Sequence, residues 1–137
     1  MSSRWRPSRI DHIGVAVRSI AEASRLYETL GLRVGASEVL PRDGVIAAFV
    51  TVGTVRIELL QPSGSEGPIA RYLARRGEGI HHIAFAVDDI AEALEHARRA
   101  GFTLIDDVPR AGAHDSRIVF LHPKDTHGVL IELVQTA

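Results

Sequence analysis

Two histidines and two glutamates stand at matching places in the halves of this chain: His12 with Glu58, and His82 with Glu132. Taken singly, a histidine in a strand is most often a hydrogen-bonded structural residue, and a glutamate on a half-buried strand is most often solvated. Recurrence changes those readings. Two modules related by an approximate two-fold would bring all four side chains around one point. Neutral imidazole and carboxylate together suit a first-row divalent metal, and octahedral geometry leaves coordination positions for water or substrate. The expected metal ligands are therefore His12, Glu58, His82 and Glu132.

The matching is a duplication. Ile10-Asp-His-Ile-Gly-Val-Ala-Val-Arg-Ser-Ile-Ala-Glu-Ala23 lies over Ile80-His-His-Ile-Ala-Phe-Ala-Val-Asp-Asp-Ile-Ala-Glu-Ala93 at a constant offset of 70, with nine of fourteen positions identical. Gly31 and Gly101 keep the same offset. Ile57-Glu-Leu-Leu-Gln61 matches Ile131-Glu-Leu-Val-Gln135 at an offset of 74, so the second copy carries a four-residue insertion in its middle. Agreement at both ends in the same order marks a repeated module.

Each copy must then build the same elements. Residues 10–17 and 80–87 are β-rich apolar runs and predict strands. Ser19-Ile-Ala-Glu22 and Asp89-Ile-Ala-Glu92 are capping boxes that open helices. The first helix shows an apolar stripe of Ile20, Ala23, Tyr27 and Leu30; the second shows Ile90, Ala93, Leu94 and Ala97. Gly31 and Gly101 close them, because glycine enters the left-handed region at little cost. Shorter β-like runs follow at 33–40, 45–52 and 55–61, and again at 102–105, 117–121 and 129–134, separated by turn residues such as Pro41-Arg-Asp-Gly44 and His122-Pro-Lys-Asp125. The module reads βαβββ. Pro68 to Arg76 predicts a linker helix, with proline at an allowed first position and Gly77 just past its end. The expectation is an α+β fold in one domain spanning 1–137, with a first module at 10–61, the linker helix at 68–76 and a second module at 80–135.

Alternation along the strands decides which side chains share a face. His12 goes with Gly14 and Ala16, and His82 with Ala84 and Ala86, while Ile13, Val15 and Val17 (and Ile83, Phe85 and Val87) turn the other way. The small residues beside each histidine suggest a cavity. Glu58 and Glu132 interrupt otherwise apolar strands, where a buried carboxylate is costly unless paired or metal-bound. His81 points away from His82 and is expected either to be structural or to support the ligands from behind, and His96 to lie on a helix surface.

Composition excludes several classes. At 24% charged and 45% hydrophobic, the 137 residues read as a soluble globular chain. Sixteen basic against 17 acidic residues advertise neither nucleic acid nor an anionic membrane surface. The absence of cysteine rules out disulfides and thiolate chemistry and suits a reducing, cytoplasmic setting. No apolar stretch approaches the ~18 residues of a membrane span. The basic start, Met1 to Arg9, lacks the apolar segment of a signal peptide and reads as a short arm.

Over residues 9–135 the chain resembles the vicinal oxygen chelate superfamily, the paired βαβββ proteins that include glyoxalase I and extradiol dioxygenases. The resemblance narrows to its methylmalonyl-CoA epimerase branch. The motifs that carry it are Ile10-Asp-His-Ile-Gly-Val-Ala-Val17, Ile57-Glu-Leu-Leu-Gln-Pro62, Pro68-Ile-Ala-Arg-Tyr-Leu73, Gly77-Glu-Gly-Ile-His-His-Ile-Ala-Phe85, Gly112-Ala-His114 and Phe120-Leu-His-Pro-Lys-Asp-Thr-His-Gly-Val-Leu-Ile-Glu-Leu133. The first-strand motif is common to the superfamily; the Gly-Ile-His-His and His-Pro-Lys segments are particular to the epimerases.

This resemblance implies a curved mixed β-sheet, a half-barrel around a metal site with the helices outside. It implies metal ligands at His12, Glu58, His82 and Glu132, holding one divalent ion per chain: Co2+ first, with Ni2+, Mn2+ or Zn2+ as alternatives. The implied reaction is epimerisation of methylmalonyl-CoA at C2, within propionyl-CoA metabolism, by proton removal and return, with Glu132 as one acid/base. Some relatives carry a second catalytic glutamate where this chain has Ala47, so the second group is not carried over. His127 departs from the family's more usual glycine. The implied partner is an acyl-CoA, whose phosphates could meet Arg71, Arg75, Arg76, Arg117 or Lys124, and the implied assembly is a homodimer. A glyoxalase I-type isomerase and a metal-free small-molecule binder are the alternatives; binders generally lose the four ligands that are kept here.

Overall fold

A computed structural model describes residues 4–137; of the expected N-terminal arm, residues 1–3 lie outside the described part. The described residues form two compact units, residues 12–81 and residues 82–137, the latter together with residues 4–11. Each has the predicted order.

In the first unit the order is β1 (Arg9–Ala16), α1 (Ile20–Thr29), β2 (Glu38–Leu40), β3 (Val45–Val52) and β4 (Val55–Pro62), followed by α2 (Pro68–Arg76). The strands lie in the order β2-β3-β4-β1, with β1 parallel to β4 and the other neighbours antiparallel. The first unit is therefore a mixed βαβββ sheet. Helix α1 starts where Ser19 accepts the amide of Glu22, as the capping box requires. The amide of Ile20 is satisfied by Gln61 Oε1 at 2.9 Å, across from the end of β4. One face of the sheet carries Val17, Val50 and Leu59, and Ile20, Ala23 and Tyr27 of α1 pack on it. Leu30 departs from the predicted stripe. It is the C-cap residue of α1 and stands 67% exposed, since the helix ends before the next turn could bring it round. The other face has its own cluster, in which Ile69 and Leu73 of α2 cover Ala16, Val45, Ala47 and Leu60. The α2 bounds agree with the predicted linker helix, and Gly77 beyond it takes φ 75°.

The second unit repeats the plan with β5 (Gly79–Ala86), α3 (Ile90–Arg99), β6 (Arg110–Ala111), β7 (Arg117–Leu121) and β8 (Ile131–Gln135), in the order β5-β8-β7-β6. Asp89 accepts the amide of Glu92, and Gln135 Oε1 accepts from Ile90 at 2.8 Å, duplicating the role of Gln61. Ile90, Ala93, Leu94 and Ala97 are all buried, as predicted. The expected strand at 102–105 is corrected. There the chain runs beside β7 with a single bridge, Leu104 to Leu121, and the short strand comes later, at Arg110–Ala111. The run Asp106-Asp107-Val108-Pro109 interrupts the pairing, because it offers little β propensity and a proline without an N–H.

The N-terminal arm is docked. The carbonyl of Arg4 accepts from the amides of Asp88 and Asp89, Ser8 donates to Ala86, and Trp5 packs into the cluster of Val87, Ile90 and Leu133. Trp5 also stacks on His96 at 3.6 Å between ring centroids, so this helix-surface histidine has an aromatic neighbour. No helix of the described residues is long and apolar enough to cross a membrane.

The turn before β8 contains the residue that departs from the family. His127 has φ 58°, in the left-handed region that favours glycine, next to Gly128 at φ 86°. Upstream, the amide of Thr103 donates to Asp125, and with the Thr103 hydroxyl this holds the carboxyl of Asp125 below its ordinary range. His127→Gly is expected to raise stability by about 0.5–1 kcal/mol, the left-handed strain less the extra freedom of unfolded glycine. Urea unfolding of the two proteins measures it; equal midpoints would mean that the turn is not strained.

Candidate metal and acid/base site

Within the first unit, the parallel register of β1 and β4 sets Gly14 beside Glu58 and leaves His12 two residues back on the same face. A residue without a side chain at Gly14 lets the Glu58 carboxylate reach His12. The Nε2–Oε1 distance is 3.3 Å, and both residues are 5% exposed. The second unit makes the same arrangement from different residues. Ala84 lies beside Glu132, and His82 Nε2 is 3.3 Å from Glu132 Oε1, with both residues 3% exposed. Gly14 and Ala84 make room for the carboxylates. Ala16 is covered by α2, and Ala84 and Ala86 pack against Ile118, Phe120 and Val134.

Each histidine also has an aromatic side support. Phe49, the register partner of Glu58, meets the His12 ring edge-on at 5.8 Å and 81°. Phe120, the register partner of Glu132, meets His82 at 5.7 Å and 88°. An arginine lies over each phenylalanine: Arg56 at 4.2 Å and Arg110 at 5.1 Å. The two arginines are not equivalent in the repeat. Leu130 holds the position that matches Arg56, and Arg110 comes from β6. A sequence comparison of the halves finds the phenylalanines only once the strand register is known.

The donor set of each pair fits a divalent metal. An imidazole nitrogen and a carboxylate oxygen that bind adjacent positions of one ion at about 2.1 Å lie about 3 Å apart, close to the separation in both pairs. Two buried carboxylates also need positive charge nearby, which protonated histidine or a cation supplies. Each pair could hold such an ion. His81 turns to the opposite face and meets Tyr72 edge-on at 5.2 Å, a structural contact as expected. Arg71, Arg75, Arg76, Arg117 and Lys124 are all exposed. Ala47 is 1% exposed beneath α2, with no acid at that position.

Comparison with known proteins adds the following. Residues 11–120 match the Glyoxalase/Bleomycin resistance protein/Dioxygenase superfamily. The ethylmalonyl-CoA/methylmalonyl-CoA epimerase of Cereibacter sphaeroides is 41% identical over 130 residues, covering 93% of this chain and 97% of that protein. The mitochondrial methylmalonyl-CoA epimerase of Mus musculus is 38% identical, over 96% of this chain and 75% of that protein. Among solved structures, a variant of Streptomyces coelicolor methylmalonyl-CoA epimerase in complex with 2-nitronate-propionyl-CoA superposes with a TM-score of 0.92 at 39% identity, covering 96% of each chain.

The aromatic supports generate a test that is independent of catalysis. Phe49→Leu and Phe120→Leu should each weaken divalent-ion binding roughly tenfold, the scale seen when groups that orient metal-bound histidines are removed. Calorimetric titration of the metal-stripped proteins reads it, with circular dichroism as the check on folding. Unchanged affinity in both variants would show that the rings only fill space.

Proposed function

Since the chain belongs to the Glyoxalase/Bleomycin resistance protein/Dioxygenase superfamily, we propose that it is an isomerase that interconverts the two C2 epimers of methylmalonyl-CoA. The observation that carries this reading is the pair of buried His–Glu contacts, one in each unit, within a chain similar along nearly its whole length to methylmalonyl-CoA epimerases. His12, Glu58, His82 and Glu132 together hold one divalent ion, for which Co2+ is the first candidate and Ni2+, Mn2+ or Zn2+ also suit the donors. When bound, that ion supplies Lewis acidity toward the thioester carbonyl and carboxylate of the malonyl unit, which makes C2–H acidic enough to ionise.

The remaining work belongs to the chain. Epimerisation needs a proton taken from one face of C2 and another delivered to the opposite face. Glu132 is a carboxylate in a buried setting, fixed by His82 and by its place beside Ala84, and it moves the proton on one face. His12 and His82 act through Nε2, each steadied by a phenylalanine edge. The protein acts as a homodimer in the cytoplasm, and the exposed arginines of α2 are available to the phosphates of coenzyme A.

Incubating racemic methylmalonyl-CoA with the protein in deuterated water tests the reaction directly. Deuterium should enter C2, and a single epimer should convert to the mixture; no exchange in metal-loaded protein would overturn the reading. Glu132→Gln keeps an oxygen donor but loses basicity near neutral pH. It should retain some metal and lose on the order of 100-fold or more in turnover. Near wild-type turnover in the metal-loaded variant would leave Glu132 a ligand only.

A further inference from the structure

One arginine of the second unit is tied to the His82–Glu132 pair through an aromatic ring. Arg110 is the register partner of Ile118 on β7, and Phe120 stands two residues further along the same face. Diagonal neighbours on adjacent strands lie about 7–8 Å apart, within reach of a long side chain. Arg110 uses that reach: its guanidinium carbon lies 5.1 Å from the centre of the Phe120 ring. The ring in turn stands perpendicular to the imidazole of His82, at 5.7 Å and 88°. His82 Nε2 is then 3.3 Å from Glu132 Oε1. Arg110, Phe120, His82 and Glu132 thus form a series of contacts within one unit.

A second contact holds the arginine. β6 has only two residues and two register pairs, so the strand alone gives Arg110 little purchase. Asp106, four residues earlier, lies with Oδ2 at 3.3 Å from Arg110 Nε, the two side chains being 22% and 21% exposed. These two atoms are buried but are not aligned as a hydrogen bond. The contact is one of charge with charge, and it fixes where the guanidinium sits rather than the plane it adopts. A cation over a ring gains strength as water is excluded, and Phe120 is itself buried. Phenylalanine χ2 is a broad torsion, so the orientation of its ring must be selected from outside the side chain.

The duplication supports a role for this cation. Leu130 holds the position that matches Arg56, and it packs against the cluster that includes Phe120. The cation over Phe120 comes instead from β6, the neighbour of β7 on the side away from β8. Two positions that are not related by the repeat therefore place a guanidinium over the two phenylalanines that meet the histidines.

We propose that Arg110, anchored by Asp106, is a positioning residue for the metal ligand His82; this rests on the metal-site reading above. The guanidinium holds one face of Phe120, the ring holds the plane of the imidazole, and that plane sets the direction in which Nε2 points. Arg110 acts through the ring and not as a ligand, because a guanidinium stays protonated and offers no lone pair.

Calorimetric titration of the metal-stripped proteins with Co2+ tests the relay, and the visible absorption of the Co2+-loaded proteins reports ligand geometry. Arg110→Met keeps the length of the side chain and removes its charge. It should weaken Co2+ binding roughly fivefold, the scale of one partly covered cation–ring contact, and alter the absorption bands. Arg110→Lys should recover part of the affinity, because an ammonium group can occupy the same ring face. Asp106→Asn should weaken binding in the same direction as Arg110→Met. In a Phe120→Leu background both changes should cost little more, because the ring through which they act is gone. Unchanged affinity and absorption in a folded Arg110→Met protein would overturn the assignment. So would losses that persist in full in the Phe120→Leu background. If circular dichroism shows that Arg110→Met does not fold, Asp106→Asn with and without Phe120→Leu decides by the same criteria. Wild-type protein that binds no Co2+ would instead overturn the metal-site reading on which the assignment rests.

Discussion

A buried carboxylate set against a buried imidazole is the interaction on which each half of this structure depends. Charge of this kind is tolerated in a protein interior only when it is matched, and matching demands fixed geometry. In both units the geometry comes from a parallel strand pair, β1 with β4 and β5 with β8. A slip of one residue would send Glu58 into the apolar layer of Val50 and Leu59 under α1, or Glu132 toward Leu133 and α3. The register is thus held from both faces, by apolar packing on one and by the His–Glu contact on the other.

Parallel neighbours require a crossover, and here the crossover is the helix that covers the apolar face. The glutamine that ends each repeated segment ties the two together. Gln61 and Gln135 lie at the ends of β4 and β8, and their side chains satisfy the first amides of α1 and α3. Each such bond joins the strand that carries the glutamate to the helix that follows the histidine strand. The identity of these glutamines in both copies has a structural reason that local helix rules alone do not supply.

The halves diverge where the duplicated chemistry leaves room. Position 47 holds an alanine under α2, whereas its register neighbour on β2 is Glu38; in the second unit the corresponding edge position is Arg110, paired with Ile118. The equivalent edges therefore carry opposite charge. The first unit has a carboxylate at this edge, and the second has a permanent cation over Phe120.

The sequence by itself determined the duplication, the βαβββ order, the helix caps and the four His and Glu positions. These are local or periodic signals: a capping box, a glycine after a helix and alternation along a strand each act within a few residues. It misplaced Leu30, which periodicity assigns to the apolar stripe but which falls where α1 has already ended. It also placed a strand at 102–105, where apolar residues run beside β7 but pairing is limited to one bridge. Tertiary structure alone decided that Gly14 and Ala84 sit beside the glutamates, that Phe49 and Phe120 brace the histidines, and that Glu38 lies next to Ala47. Those relations join residues on neighbouring strands, and the register that joins them is set by packing on both faces of a sheet, which no single strand's sequence contains.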